Sequence, residues 1–186
     1  MNLIYQLKWK LIIPKLKKLK LIVFDVDGVL TDGGLWYDSK GELNKRFDVK
    51  DGLGIKIIQE LGVEVVFLSG GKGGSTEKRA EQLNVQYCLV EVKDKFQALK
   101  NLQQKLLIGK ENTCFVGDDI NDISLKSIVN LFFAPNDSCQ GIKKIADLVL
   151  QKNGGMGAAR EIADRFLEAY GKYAIYSKIG WSNHNA

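Results

Sequence analysis

The chain has 186 residues, 45% of them hydrophobic and 26% charged, a composition that belongs to one soluble globular domain and excludes disordered and collagen-like architectures. The formal charge of +5 points to a polyanionic partner until its distribution is read, because six lysines and no acid lie in residues 1–20 and the remaining 21 basic and 22 acidic residues nearly cancel. No nucleic acid is therefore expected as a partner, and no window reaches the roughly 18 consecutive apolar residues that a spanning helix needs.

In chain order, residues 1–19 (MNLIYQLKWKLIIPKLKKL) come first, with Leu3, Leu7 and Leu11 at four-residue spacing before Pro14. They are expected to form a basic, partly ordered extension with solvated lysines. The competing reading is a short amphipathic helix on an anionic membrane surface. A secretory signal does not fit, since the charges follow the apolar residues and no small-residue cleavage site appears; the protein is expected in the cytoplasm.

From Leu21 onward, short apolar runs alternate with helix-period stretches. Runs at Leu21–Phe24, Val63–Leu68, Tyr87–Val90, Thr113–Val116, Leu131–Ala134 and Leu148–Leu150 suit strands buried on both faces. Helices are predicted over Ile55–Leu61, Ser75–Leu83, Asp94–Leu107, Asp119–Ile128, Gln140–Ala146 and Ala158–Tyr170. The pattern predicts an α/β domain over residues 20–171, a doubly wound parallel sheet flanked by helices, with residues 172–186 as a tail. One segment breaks the alternation. Leu35–Tyr37 and Leu43–Val49 flank the turn residues Asp38-Ser39-Lys40-Gly41, which predicts a β-hairpin flap over about 34–49. Its Trp36, Tyr37 and Phe47 exceed what so small an excursion can bury, so it is expected to pack on something else.

Histidine chemistry is excluded, because the single histidine is His184, near the C-terminus. Cys88, Cys114 and Cys139 form no CxxC pair, which removes a disulfide scaffold and a cysteine-rich zinc site. Carboxylates must then carry any proton transfer. In an open parallel sheet, ligands bind at the carboxyl ends of the strands. Asp25, Asp27 and Gly28 follow the first apolar run, Ser69 and Gly70 the second, and Asp118, Asp119 and Asp122 the fourth, while Lys95 opens the helix after the third. Carboxylates beside a core are costly unless cations or hydrogen bonds compensate. Two such clusters at one sheet edge, with only oxygen ligands available, favour a hard ion, Mg²⁺ first. Mg²⁺ held by carboxylates usually accompanies phosphate, for which Ser69, its following glycines and Lys95 offer donors. The stretch SGGKGGST at Ser69–Thr76 is not a Walker A loop, because Gly73 follows Lys72.

Phe24-Asp25-Val26-Asp27-Gly28-Val29-Leu30-Thr31, then Ser69-Gly70, then Lys95, then Gly117-Asp118-Asp119-Ile120-Asn121-Asp122 resemble, in order, the four motifs of the haloacid dehalogenase superfamily phosphatases. DVDGVLTDG with its hairpin, VKDGLGI at Val49–Ile55 and GGMGAARE at Gly154–Glu161 resemble more narrowly the small cap-less subgroup acting on 3-deoxy-D-manno-octulosonate 8-phosphate and acylneuraminate 9-phosphates. The resemblance implies an Mg²⁺-dependent phosphatase of small phosphorylated sugars or sugar acids, a place in lipopolysaccharide or sialic acid biosynthesis, and a homotetramer built on the flap. It implies Asp25 as nucleophile and Asp27 as acid and base. It further implies Mg²⁺ on Asp25, Asp118 and the Asp27 carbonyl, support from Asp119 and Asp122, and phosphate held by Ser69, Gly70, Gly28 and Lys95.

Two residues depart from the subgroup. Gly71 stands where the octulosonate enzymes usually carry arginine, and Met156 where they often carry arginine or another polar residue. Lys50, Lys72, Arg79 and Arg160 are the candidates to read a substrate carboxylate instead, although Arg160 is spaced to pair with Asp164. A dehalogenase does not need Asp27, a phosphomutase usually carries a cap domain, and a receiver domain phosphorylates an aspartate after an internal strand. The remaining alternative is a catalytically altered relative acting as a binding or regulatory module.

Overall fold

The computed structural model describes residues 3–180; His184 and the end of the predicted tail lie outside the described residues. Helix α1 (Leu3–Leu16) leads into β1 (Leu21–Phe24), and a hairpin of β2 (Trp36–Tyr37) and β3 (Leu43–Asn44) follows. Then come α2 (Val49–Glu60), β4 (Glu64–Leu68), α3 (Ser75–Gln82), β5 (Tyr87–Leu89), α4 (Lys95–Leu106) and β6 (Thr113–Val116). A 3₁₀ segment over Ile120–Ile128, β7 (Leu131–Ala134), α5 (Gln140–Ile145), β8 (Leu148–Val149), α6 (Ala158–Ala169) and α7 (Tyr173–Ile179) complete it. Six strands form one sheet in the order β5-β4-β1-β6-β7-β8, and every pairing in it is parallel. This is the expected doubly wound architecture, and among the described residues only the hairpin rises beside the sheet edge where a cap would stand.

β1, β6 and β7 are buried along their whole length, which is why their sequences are uniformly apolar. The chain runs from β1 outward through β4 to β5 and then returns to the other side of β1 as β6. The β1/β6 boundary is therefore the topological switch point, where the flanking loops diverge and leave a crevice at the carboxyl ends.

Residues 3–16 differ from the expected loose extension. They form a helix that docks on the domain with Tyr5, Trp9, Ile12 and Leu16 buried, and Trp9 is only 1% exposed. Trp9 meets the Phe133 ring at 5.3 Å between centroids, and the Arg165 guanidinium from α6 lies 5.3 Å from the Trp9 ring. The leucines at four-residue spacing, Leu3, Leu7 and Leu11, are the exposed face. A helix apolar on both sides gives no amphipathic signal, so periodicity alone could not say which stripe faces the core. Pro14 falls in the last turn, where one lost backbone bond does not stop the helix.

α2 begins at Val49 rather than Ile55, with Asp48 capping it by accepting the Lys50 N–H at 2.6 Å. Gly54 lies inside this helix at its contact with α6. A Cβ there would stand 2.8 Å from the Arg160 Cα, so glycine lets the backbones of α2 and α6 touch. In the same contact the buried Asp51 accepts the N–H groups of Gly157 at 3.1 Å and Arg160 at 2.9 Å, capping α6 from a neighbouring helix. Burial raises the Asp51 pKa in spite of these hydrogen bonds.

Candidate active site

β1 delivers Asp25 into the switch-point crevice, where its N–H donates to the Val116 carbonyl at 2.9 Å and its side chain is buried. Val26 N–H donates to Asp25 Oδ1 at 2.7 Å, and Lys95 Nζ lies 2.8 Å from Asp25 Oδ2 and 2.7 Å from Asp122 Oδ1. Lys95 gets there because Asp94 caps α4, accepting the Gln97 N–H at 2.9 Å, so that Lys95 opens the helix at the carboxyl edge. Asp118 follows β6, and its N–H donates to Asp122 Oδ2 at 3.3 Å. One carboxylate oxygen each from Asp25, Asp118 and Asp122 lies within 4.8 Å of the others.

Two glycines make this packing possible. At Gly28, whose φ is +83°, a Cβ would overlap the Asp118 carboxylate, and at Gly117 it would overlap that of Asp122. The loop at Gly154–Gly157 supports the same turn from behind, since a Cβ on Gly154 would run into the backbone carbonyl of Gly28.

The charges do not balance. Burial, then the Asp122 charge, pushes Asp25 up to about 8 against the pull of Lys95. Burial, followed by Asp122 and Asp119, pushes Asp118 up to about 7, and burial raises Asp122 despite Lys95. Lys95 itself is held above its ordinary value: burial opposes its charge, but Asp25 and Asp122 outweigh that. Three carboxylates around one ammonium leave a surplus of negative charge, and a hard divalent cation with oxygen ligands fits it.

Asp27 lies across a cavity of about 430 Å³ lined by Asp25, Gly28, Gly70, Lys95, Asp118 and Asp27 itself. Its carboxylate is 32% exposed, and Lys45 Nζ meets it at 2.8 Å on Oδ1 and 2.9 Å on Oδ2. Ser69 Oγ donates to Asp27 Oδ2 at 3.4 Å and accepts the Gly71 N–H at 3.0 Å. The structure thus brings Asp25, Asp27, Gly28, Ser69, Gly70, Lys95, Asp118 and Asp122 to one place. Asp119 lines the cavity from its rim, capping the 3₁₀ segment by accepting the Ile120 N–H at 2.7 Å. Asp122, expected in a supporting position, stands fully buried as an equal member of the acidic cluster.

The cavity shares Asp27, Gly33, Gly70 and Gly71 with a cleft of about 1290 Å³ between the hairpin and the Gly70–Ser75 loop. Of the four candidate substrate cations, Lys72 lines this cleft. Arg79 is turned away, donating to the Asp48 carbonyl at 2.8 Å and lying over the Phe47 ring. Arg160 pairs with Asp164 at 2.8 Å, and Lys50 is exposed on the first turn of α2. At Gly71 a Cβ would stand 2.8 Å from Asp27 Oδ2 and 3.2 Å from Lys45 Nζ, so a side chain there crowds the Asp27–Lys45 pair.

Lys45 is the site residue that the sequence did not reveal. Its signal was one lysine in the alternating stretch Leu43–Val49, which reads as solvent-facing, yet its side chain is 1% exposed. Phe47, expected to need an outside partner, is half-buried against the chain's own core, whereas Trp36 and Tyr37 are 66% and 65% exposed.

The profile of the haloacid dehalogenase-like hydrolases matches residues 89–162. The chain is 36% identical over 162 residues to the 3-deoxy-D-manno-octulosonate 8-phosphate phosphatase KdsC of Haemophilus influenzae, a match covering 87% of this chain and 90% of that one. It is 36% identical to KdsC of Escherichia coli strain K12 over 87% of this chain and 86% of the relative. The crystal structure of the Moraxella catarrhalis octulosonate 8-phosphate phosphatase, in complex with magnesium, phosphate and KDO, superposes with a TM-score of 0.87 at 30% identity, covering 91% of this chain and 97% of that one.

Proposed function

This chain belongs to the haloacid dehalogenase-like hydrolases, and from that premise we propose that it is an Mg²⁺-dependent phosphatase of 3-deoxy-D-manno-octulosonate 8-phosphate, acting in the cytoplasm through an aspartyl-phosphate. The observation that carries the reading is the buried Lys95 bridging Asp25 and Asp122 beside Asp118, with Asp27 across the cavity. The relatives that resemble the chain along most of its length support the substrate. A nonulosonate 9-phosphate has no such support among them.

In the first step a carboxylate oxygen of Asp25 attacks phosphorus. The bond from phosphorus to the ester oxygen breaks, and Asp27 gives that oxygen its proton. Asp27 then takes a proton from water, whose oxygen attacks the same phosphorus, and the bond to Asp25 breaks to release phosphate. Lys95 keeps Asp25 in place and offers positive charge to the phosphoryl oxygens, while Gly70 and Gly71 line the same cavity and Ser69 Oγ stands beside Asp27. Mg²⁺, when bound by Asp25, Asp118 and Asp122 with the Asp27 carbonyl, supplies the charge that offsets repulsion between the phosphate ester and the carboxylates. The large cleft beyond Asp27 receives the sugar acid, with Lys72 and Lys78 on its wall besides the Asp27-bound Lys45.

The exposed Leu35, Trp36 and Tyr37 support a homotetramer centred on the hairpin, whose neighbouring copy closes the cleft. Light scattering tests this: a tetramer is expected, and Trp36→Asp with Tyr37→Asp should dissociate it. Activity is tested by phosphate release from a panel of sugar and sugar-acid phosphates. Octulosonate 8-phosphate should be preferred, EDTA should abolish turnover, and Asp25→Asn should reduce it to background with the fold intact. Wild-type turnover by Asp25→Asn would overturn the mechanism, and equal turnover of neutral sugar phosphates would overturn the substrate.

A further inference from the structure

We propose that Lys45 is the positioning residue of the proton donor: it fixes the Asp27 carboxylate in the orientation that serves the leaving group, and so makes the hairpin part of the reaction. The inference rests on the reading of Asp27 as acid and base. Lys45 follows β3, Asp27 follows β1 and Thr76 lies in the first turn of α3, and the lysine joins all three. Its Nζ lies 2.8 Å from Asp27 Oδ1 and 2.9 Å from Oδ2, and donates to the buried Thr76 Oγ1 at 3.3 Å. Its two hydrogen bonds, to Asp27 Oδ2 and Thr76 Oγ1, and its ion pair with Asp27 Oδ1 all stay within the protein. Lys45 therefore acts through Asp27 and is not itself a catalytic residue.

The carboxylate has little else to hold it. Ser69 Oγ donates at 3.4 Å, a long contact, and the backbone at Gly71 closes one side. Without the lysine the carboxylate is free to turn about its own side-chain bonds, and a proton donor turned away from the ester oxygen contributes nothing. Tying a long lysine down with a buried side chain costs conformational freedom, which a lysine serving only to anchor an exposed hairpin would not need to spend on the two oxygens of one site carboxylate.

The test uses leaving groups that differ in their need for a proton. A sugar alkoxide is a poor anion and must be protonated as it leaves, whereas p-nitrophenolate is a stable anion near neutral pH. The measured quantity is kcat/KM, which covers steps only as far as the aspartyl-phosphate. Lys45→Met should lose about 10²-fold on the sugar phosphate and no more than about threefold on p-nitrophenyl phosphate, with Lys45→Arg restoring part of the loss. Equal loss on the two esters, or no loss on either, would overturn the assignment. A second arm does not depend on turnover: amide hydrogen exchange over residues 42–47 should rise in both Lys45→Met and Asp27→Asn while β1 and β6 stay protected. Unchanged exchange in either variant would overturn the tie. Should the wild type turn over neither ester, the phosphatase reading fails, and the exchange arm still decides whether Lys45 holds Asp27.

Discussion

Replacing Lys95 by methionine keeps an unbranched apolar stem of similar volume and removes the terminal ammonium with its charge and donors. Lys95 is 6% exposed, Asp25 4% and Asp122 0%, so three carboxylates are left beside one another in a site with little water. Deleting one partner of a buried ion pair costs about 3–5 kcal/mol. In a domain of this size each kcal/mol moves Tm by about 2–4 °C, which predicts a fall of about 6–20 °C. The pH dependence follows from the direction of the shifts. Asp25 already titrates at about 8 with Lys95 present, and losing the lysine pushes Asp25 and Asp122 further above their unfolded values. With the folded pKa raised, the ionised form is the destabilised one, so the penalty is fully present above the folded pKa. It is relieved as pH falls through that value and the folded protein takes up protons. The Tm deficit should therefore be largest near about pH 9 and smallest near about pH 5. Mg²⁺ binds only the folded state and supplies the missing charge, so it should narrow the deficit. Differential scanning fluorimetry in EDTA and in millimolar Mg²⁺ across that range is the assay. A deficit indifferent to both pH and Mg²⁺ would show that it does not arise from the uncompensated carboxylates and would refute the electrostatic argument.

Trp9→Ala should cost about 3–5 kcal/mol as a large aromatic is removed from a filled site, lowering Tm by about 6–20 °C, and a shift under about 2 °C would mean that α1 is not docked. Mg²⁺ binding at pH 7 should release about one proton per ion, read by calorimetry in buffers of different ionisation enthalpy, because Asp25 and Asp118 titrate at about 8 and about 7 without the ion. Release should disappear above those values, and none at pH 7 would contradict the raised carboxylates. Gly154→Ala drives a methyl group into the Gly28 carbonyl and should lower kcat/KM by about 10²-fold through displacement of the Asp25–Asp27 turn, whereas Met156→Ala on the exposed side of the same loop should not.

The haloacid dehalogenase family and the carboxylate chemistry were legible in the sequence because their signals are local. A strand buried on both faces must be uniformly apolar, so β1, β6 and β7 announced themselves with the same boundaries that the structure gives them. The polar residues at the carboxyl ends followed by chain order alone, and with them Asp25, Asp27, Ser69, Lys95 and Asp118. Even the pairing of Arg160 with Asp164 is a matter of helical spacing.

What tertiary structure decided lies between residues distant in the chain. The sequence of α1 presents two apolar stripes, and only the position of Phe133 and α6 selects the one carrying Trp9. Nothing local demands glycine at position 54 inside α2; the bare backbone becomes a requirement only once α6 lies against it, where a Cβ would stand 2.8 Å from the Arg160 Cα. Asp122 entered the acidic cluster because Lys95, 27 positions away, reaches it, and Lys45 became part of the site because the hairpin folds its ammonium onto Asp27. In each case a charged or flexible residue has several local conformations of similar energy. The partner that selects one of them is brought within reach only by the folded sheet, and the low dielectric around it makes that single arrangement the stable one.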